Sequence, residues 1–149
     1  MLHFFGSKQA LFVATVELPF DPDAVVPAIL AEPDEAGLRL AQFLLGVLED
    51  PDGRARMTGI VRAAASEPAA AAALRDLITR TVLGAIVRNL GSADAELRAT
   101  LVGSQVVGLV MARYVIGVEP LASLPADDVA RAIAPNLQRY LTESLTDAQ

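Results

Sequence analysis

The chain has 149 residues, enough for one domain with a substantial core, and its 53% hydrophobic content with only 5% aromatics is that of a tightly packed, helix-rich protein. A net charge of -6, with Lys8 as its single lysine, excludes nucleic-acid binding through the general surface, because phosphate recognition needs clustered cations. Having no cysteine and one histidine, His3, the chain lacks disulfides, thiolate metal sites, paired-histidine zinc sites and any Ser-His-Asp arrangement; no enzyme activity, metal or cofactor is expected.

Near the N-terminus His3, Phe4 and Phe5 run into Gly6, which can stop a helix in a left-handed conformation, and Ser7 can cap the next helix with Lys8 in its first turn. There the positive helix end and a basic side chain can together meet a phosphate. Leu11, Phe12, Thr15 and Val16 then recur at helical steps until Pro19. From Phe20 to Pro33, the prolines Pro22, Pro27 and Pro33 surround Val25, Val26, Ile29 and Leu30, which predicts a structured connector holding a brief helix capped by Asp21 or Asp23, with a ligand lid as the alternative.

Asp34 is expected to cap a helix to about Glu49, with Leu38, Ala41, Leu44, Leu45 and Leu48 on one stripe and Leu40, Phe43 and Val47 beside it. So wide an apolar face implies burial on two sides. After the turn Glu49 to Gly53, a helix over about 54–65 carries Met57, Ile60, Val61 and Ala64 on one face, with Arg62 among them. Glu67 and Pro68 open the next, through the alanine run 69–73 and on by Leu74, Leu77, Ile78, Thr81, Val82, Ala85, Ile86 and Asn89 to Gly91.

The spacing then predicts a helix over about 95–116, capped by Asp94 and apolar nearly all round. Val102, Val106, Leu109 and Ile116 face the domain core in this reading; Leu97, Leu101, Ser104, Gly108, Met111 and Val115 form a helix-pairing seam. The uncharged stretch inside it, bounded by Arg98 and Arg113, is shorter than the ~20 residues of a membrane span, so no membrane is expected as partner. The run Gly103 to Gly108 lacks the lysine of a phosphate loop and reads as a packing device. Pro125 starts the last helix, with Asp127 and Asp128 against the positive dipole end and Val129, Ile133, Leu137, Tyr140 and Leu141 as its apolar stripe. Pro135 predicts a kink or break near Arg131, and Thr142 to Gln149 reads as a polar tail.

The stretch Leu2 to Phe12 resembles the pattern close to L-Y-x-H-F-x-S-K-E-x-L that joins the recognition helix to the fourth helix in the tetracycline-repressor (TetR) family. His3, Phe5, Gly6, Ser7, Lys8 and Leu11 carry the match, while Leu2 and Gln9 stand where tyrosine and glutamate are common. Met111 to Leu124 and Ala134 to Thr142 are similar to the last two helices of many actinobacterial members. The resemblance implies an all-α fold: a TetR-like C-terminal regulatory domain of about six main helices, the last two pairing with their copies as a four-helix bundle. It also implies a division into residues 1–18, a remnant of the DNA-binding head with its connecting helix, and 19–149, the ligand-sensing and dimerisation domain. Members carry a helix-turn-helix before this motif, whereas this chain begins at Met1. The expectation is therefore an internal, misassigned or truncated start, with operator DNA bound only through the missing N-terminal helices.

The function so implied is a cytoplasmic TetR-like transcriptional regulator, in all expectation a repressor, acting as a homodimer under control of an apolar small-molecule effector. Its DNA-backbone residues would be His3, Ser7 and Lys8, in the full-length protein only. Phe43, Met57, Val61, Arg62, Leu83, Val87, Gln105 and Tyr114, large apolar groups with a few polar ones at interior-facing spacing, are the candidate effector pocket. The dimer seam would be Leu97, Leu101, Ser104, Gly108, Met111 and Val115 with Val129, Ile133, Leu137 and Tyr140 of the last helix. The alternative is a headless protein that binds small molecules, or that inhibits full-length relatives by heterodimerising with them.

Overall fold

Eight α-helices and no strands make up the described part of the chain, residues 8–15 and 17–146 of a computed structural model, in which the side chains of Arg80 and Leu83 are not described. They are α1 (Lys8–Thr15), α2 (Pro22–Leu30), α3 (Ala36–Glu49), α4 (Pro51–Ser66), α5 (Pro68–Ile78), α6 (Gly84–Leu90), α7 (Ala95–Leu109) and α8 (Ala126–Thr142). Widened π-turns, Thr79–Leu83 and Val110–Ile116, carry α5 into α6 and extend α7. The all-α expectation holds, with eight helices in place of about six. The connector folds as a full helix, α2, because Asp21 accepts a hydrogen bond from the Asp23 N–H at 3.0 Å and Pro22 suits a first turn.

Caps explain where α4 and α5 begin. Asp50 accepts from the Gly53 N–H at 2.9 Å, which starts α4 at Pro51 and draws most of the Glu49 to Gly53 turn into the helix. Glu67 accepts from the Ala70 N–H at 3.1 Å ahead of Pro68. Two expected caps are not made. A 3-10 turn, Pro33–Glu35, takes up Asp34, and the Gly37 N–H of the first turn of α3 donates instead to Gln138 Oε1 of α8 at 2.7 Å. Asp94 makes no cap either, because its carboxylate receives Arg98 Nε at 2.8 Å.

The principal core lies between α3 and α8, the most heavily packed helix pair. Ala41, Leu44, Leu45 and Leu48 of α3 meet Val129, Ala130, Ala134, Leu137 and Leu141 of α8, and Val61, Val102, Leu109 and Val110 close the cluster from α4 and α7. Close approach depends on Gly37, where a Cβ would lie 2.5 Å from the Ala134 carbonyl oxygen. Pro135 lies within α8 without breaking it: the helix runs from Ala126 to Thr142, and Pro135 and Arg131 are exposed, so water can reach the carbonyl that loses its partner. Smaller clusters seat α1 on α4 and α5 through Ala10, Val13, Ala63 and Ala70, and α2 on α6 and α7 through Val26, Ala85, Ile86 and Ala99.

Candidate sensing site and helix-pairing face

Along α7 and its extension half of the expected seam is exposed and the rest is half-buried, Met111 and Val115 packing against the principal core, while apolar residues outside the seam are exposed as well. Leu97 is 53% exposed, Val107 40%, Ile116 66% and Val118 48%, with Ser104 and Gly108 exposed and Leu101, Met111 and Val115 half-buried. A Cβ at Gly108 would meet nothing within 4 Å. From Ala95 to Ile116 the helix has 22 residues and is long and apolar enough, by length and composition alone, to cross a membrane. Arg98 and Arg113 lie within it. Both arginines have intramolecular partners: Arg98 also donates to the Tyr140 carbonyl at 2.7 Å, tying α7 to the end of α8.

The last helix does not offer the expected matching seam. Val129 and Leu137 are 0% exposed and belong to the core against α3, so neither has surface for a second copy. Ile133 and Tyr140 are half-buried at the margin of the same cluster. One narrow stripe cannot serve two neighbours, and α3 takes it.

Ile116 was expected in the core, and the π-turn accounts for its exposure. Widening the turn breaks the 3.6-residue register after Leu109, so side chains beyond it point elsewhere than a regular helix would send them. Ile116 rolls outward and Arg113 rolls inward, to 8% exposure. Gly117 ends the segment left-handed at φ 77°. Arg113 Nη1 donates to the carbonyls of Leu121 (2.5 Å) and Leu124 (2.8 Å), holding the turn that leads to α8. Arg113 Nη2 lies 3.6 Å from Glu49 Oε2, which also accepts the Tyr114 hydroxyl at 2.7 Å. Burial, then the Glu49 acceptor, pushes the Tyr114 hydroxyl up to about 12. Sequence reasoning missed Arg113 as a structural centre, because a lone arginine closing an apolar run looks like a surface charge.

Of the eight candidate pocket residues, Val61 lies in the principal core and Phe43, Met57 and Tyr114 pack against it. Arg62 is exposed on α4, Val87 and Gln105 are half-buried outside that cluster, and the Leu83 side chain lies outside the described residues. Phe43 lines two open concavities. The first, about 310 Å³, is walled by Pro19, Phe43, Gly46, Val47, Asp50 and Gly53. Ala24, Val25, Ala28, Ile29, Arg39 and Phe43 wall the second, about 370 Å³. The Phe20 ring meets Phe43 edge-on, centroids 5.2 Å apart and planes at 88°. His3 and Ser7 lie outside the described residues, and Lys8 is exposed at the start of α1. Among the described residues no cluster of acidic or histidine side chains could hold a metal ion.

The described chain is all-helical, and its penultimate helix leaves apolar side chains uncovered. Residues 34–141 match the family model described as tetracyclin repressor-like, C-terminal domain. A crystal structure of a TetR-family regulator from Streptomyces coelicolor A3 is similar over 94% of this chain and 94% of its own, at 31% identity and a TM-score of 0.55. No curated protein matches the chain. The chain therefore belongs to the TetR family of transcriptional regulators through its C-terminal domain.

Proposed function

We propose that this chain is the dimerising, effector-sensing part of a cytoplasmic TetR-like repressor and is not an enzyme. The observation that carries the reading is the apolar surface that α7 and its π-turn extension leave uncovered, at Leu97, Val107 and Ile116 around the seam. Burying a leucine-sized side chain stabilises by ~1.5–3 kcal/mol, so a second copy laid along this surface gains several such terms. Leu97, Leu101, Ser104, Gly108, Met111 and Val115 form the contact, the small Ser104 and Gly108 letting two helices approach closely, with Ile133 and Tyr140 at its edge.

Effector sensing centres on Phe43, which joins the core that holds Met57, Val61 and Tyr114 to the open concavities. A ligand that favours one arrangement of these helices shifts α1, which rests on α4 and α5; equal affinity for both arrangements would shift nothing. Operator contact belongs to the head that precedes α1 in the family, with His3, Ser7 and Lys8 at the phosphate backbone. Sedimentation tests the pairing: the native protein should run as a dimer at micromolar concentration, and Leu101→Glu or Met111→Glu should yield a helical monomer. A native protein that stays monomeric at high micromolar concentration overturns it.

A further inference from the structure

The two concavities beside Phe43 share that residue and differ in what else encloses them: Pro19 of the link after α1 on one side, α2 on the other. Phe20 belongs to the same link, between Pro19 and α2, and its ring stands edge-on to Phe43. The two charged side chains on the walls are already committed. Asp50 caps α4 through the Gly53 N–H at 2.9 Å, and Arg39 pairs with Glu32 at 2.9 Å and Glu35 at 3.4 Å. A charged ligand would give up its hydration there without finding a fresh counter-charge, whereas an uncharged ring finds carbon surface and an aromatic face.

We infer that the two concavities are halves of one site for a neutral, flat, apolar ligand, with the Phe20 ring as the gate that the ligand displaces from Phe43. This rests on the reading of the chain as a ligand sensor and names the ligand's chemistry and the moving part. Each half lies near the lower bound of small-molecule pockets, roughly 300 Å³, so the joined site suits a fused or linked pair of rings. The output is local: Phe20 follows the end of α1 by only a few residues of chain, so moving the ring pulls on the helix that leads to the head.

The test uses N-phenyl-1-naphthylamine, a neutral dye that fluoresces in apolar surroundings, and its anionic analogue 8-anilinonaphthalene-1-sulfonate. The native protein should bind the neutral dye about tenfold or more tighter than the sulfonate, because Arg39, the one cation on the walls, is already paired with Glu32 and Glu35. Phe20→Ala should tighten neutral-dye binding roughly threefold to tenfold, since the closed population no longer has to be displaced. Gly46→Leu should weaken it about tenfold or more by filling one half, and because a Cβ at Gly46 meets nothing within 4 Å, circular dichroism should show an intact fold. Neutral-dye affinity unchanged in Gly46→Leu, or equal affinity for the sulfonate, overturns the inference. If the dye binds but ignores Gly46→Leu and Phe20→Ala, sensing lies elsewhere in the domain and only this site falls. If no neutral dye binds a protein that still dimerises, the site falls while the pairing of α7 stands.

Discussion

Gly37 sets helix propensity against packing. In an isolated helix, alanine at this position of α3 would be favoured over glycine by ~1 kcal/mol. In the folded chain, however, a Cβ would lie 2.5 Å from the Ala134 carbonyl oxygen, 2.5 Å from the Gln138 nitrogen and 2.7 Å from Gln138 Cβ. Two of those three atoms are backbone, so relief requires α8 to move away from α3, and overpacking of this kind costs ~1–3 kcal/mol. Movement also strains the Gln138 bridge, which accepts from the Gly37 N–H at 2.7 Å and donates to the Pro33 carbonyl at 2.7 Å; losing both adds ~1–3 kcal/mol. Gly37→Ala should therefore destabilise by roughly 2–4 kcal/mol, although propensity alone gives the opposite sign. Gly46 of the same helix supplies the control. Its Cβ direction is empty to 4 Å, and Gly46→Ala should stabilise by ~0.5–1 kcal/mol. Urea denaturation at one fixed protomer concentration compares the pair without a differing mass-action contribution. Equal stabilisation by both substitutions would refute the close α3–α8 crossing.

Arg113→Met keeps much of the volume but strips the Leu121 and Leu124 carbonyls of their donor and leaves Glu49 with the Tyr114 hydroxyl alone; denaturation should show a loss of about 2–4 kcal/mol, and no loss would remove Arg113 from its structural role. Tyr114, whose hydroxyl is held protonated up to about 12 by burial and then by Glu49, contributes stability that is complete below pH 10 and is lost as pH rises through about 12. Absorbance at ~295 nm should show a tyrosinate step near pH 12 that vanishes in Tyr114→Phe; a folded protein without that step counts against the Glu49 contact. Asp94 is held below its usual 3.8, chiefly by its hydrogen bond from Arg98, so its contribution is present above 3.8 and is lost as pH falls through the lower folded value. Thermal melts across that acid range should be flatter for Asp94→Asn than for the native chain.

Much of the fold was legible because long apolar periodicities need little context. The stripe of Leu44, Leu45 and Leu48 marked α3, the alanine run marked α5, and Gly91 and Gly117, both at positive φ, stand where their helices stop. Caps were less legible. An aspartate before an apolar run is ambiguous between capping the backbone and pairing with an arginine four residues on, and Asp94 makes the second choice. The side chain that serves the first turn of α3 comes from Gln138, about a hundred residues away, and no local pattern announces such a partner.

The same limit applies to the pairing face, and there it has a functional consequence. Reading α7 at 3.6 residues per turn places its open side correctly as far as Leu109. Beyond that point the π-turn changes the register, sending Ile116 into solvent and Arg113 into the interior. The buried arginine then fixes the carbonyls of the following turn, in which Val118 and Leu124 are also exposed apolar residues. In the proposed dimer, contact with a second copy falls mainly on α7 and this turn, since α3 already covers Val129 and Leu137. A substitution that loosens the Arg113 bonds should therefore weaken the dimer as well as the protomer. Replacing Ile133 by alanine, at the half-buried margin of α8, should weaken it far less than Leu101→Glu.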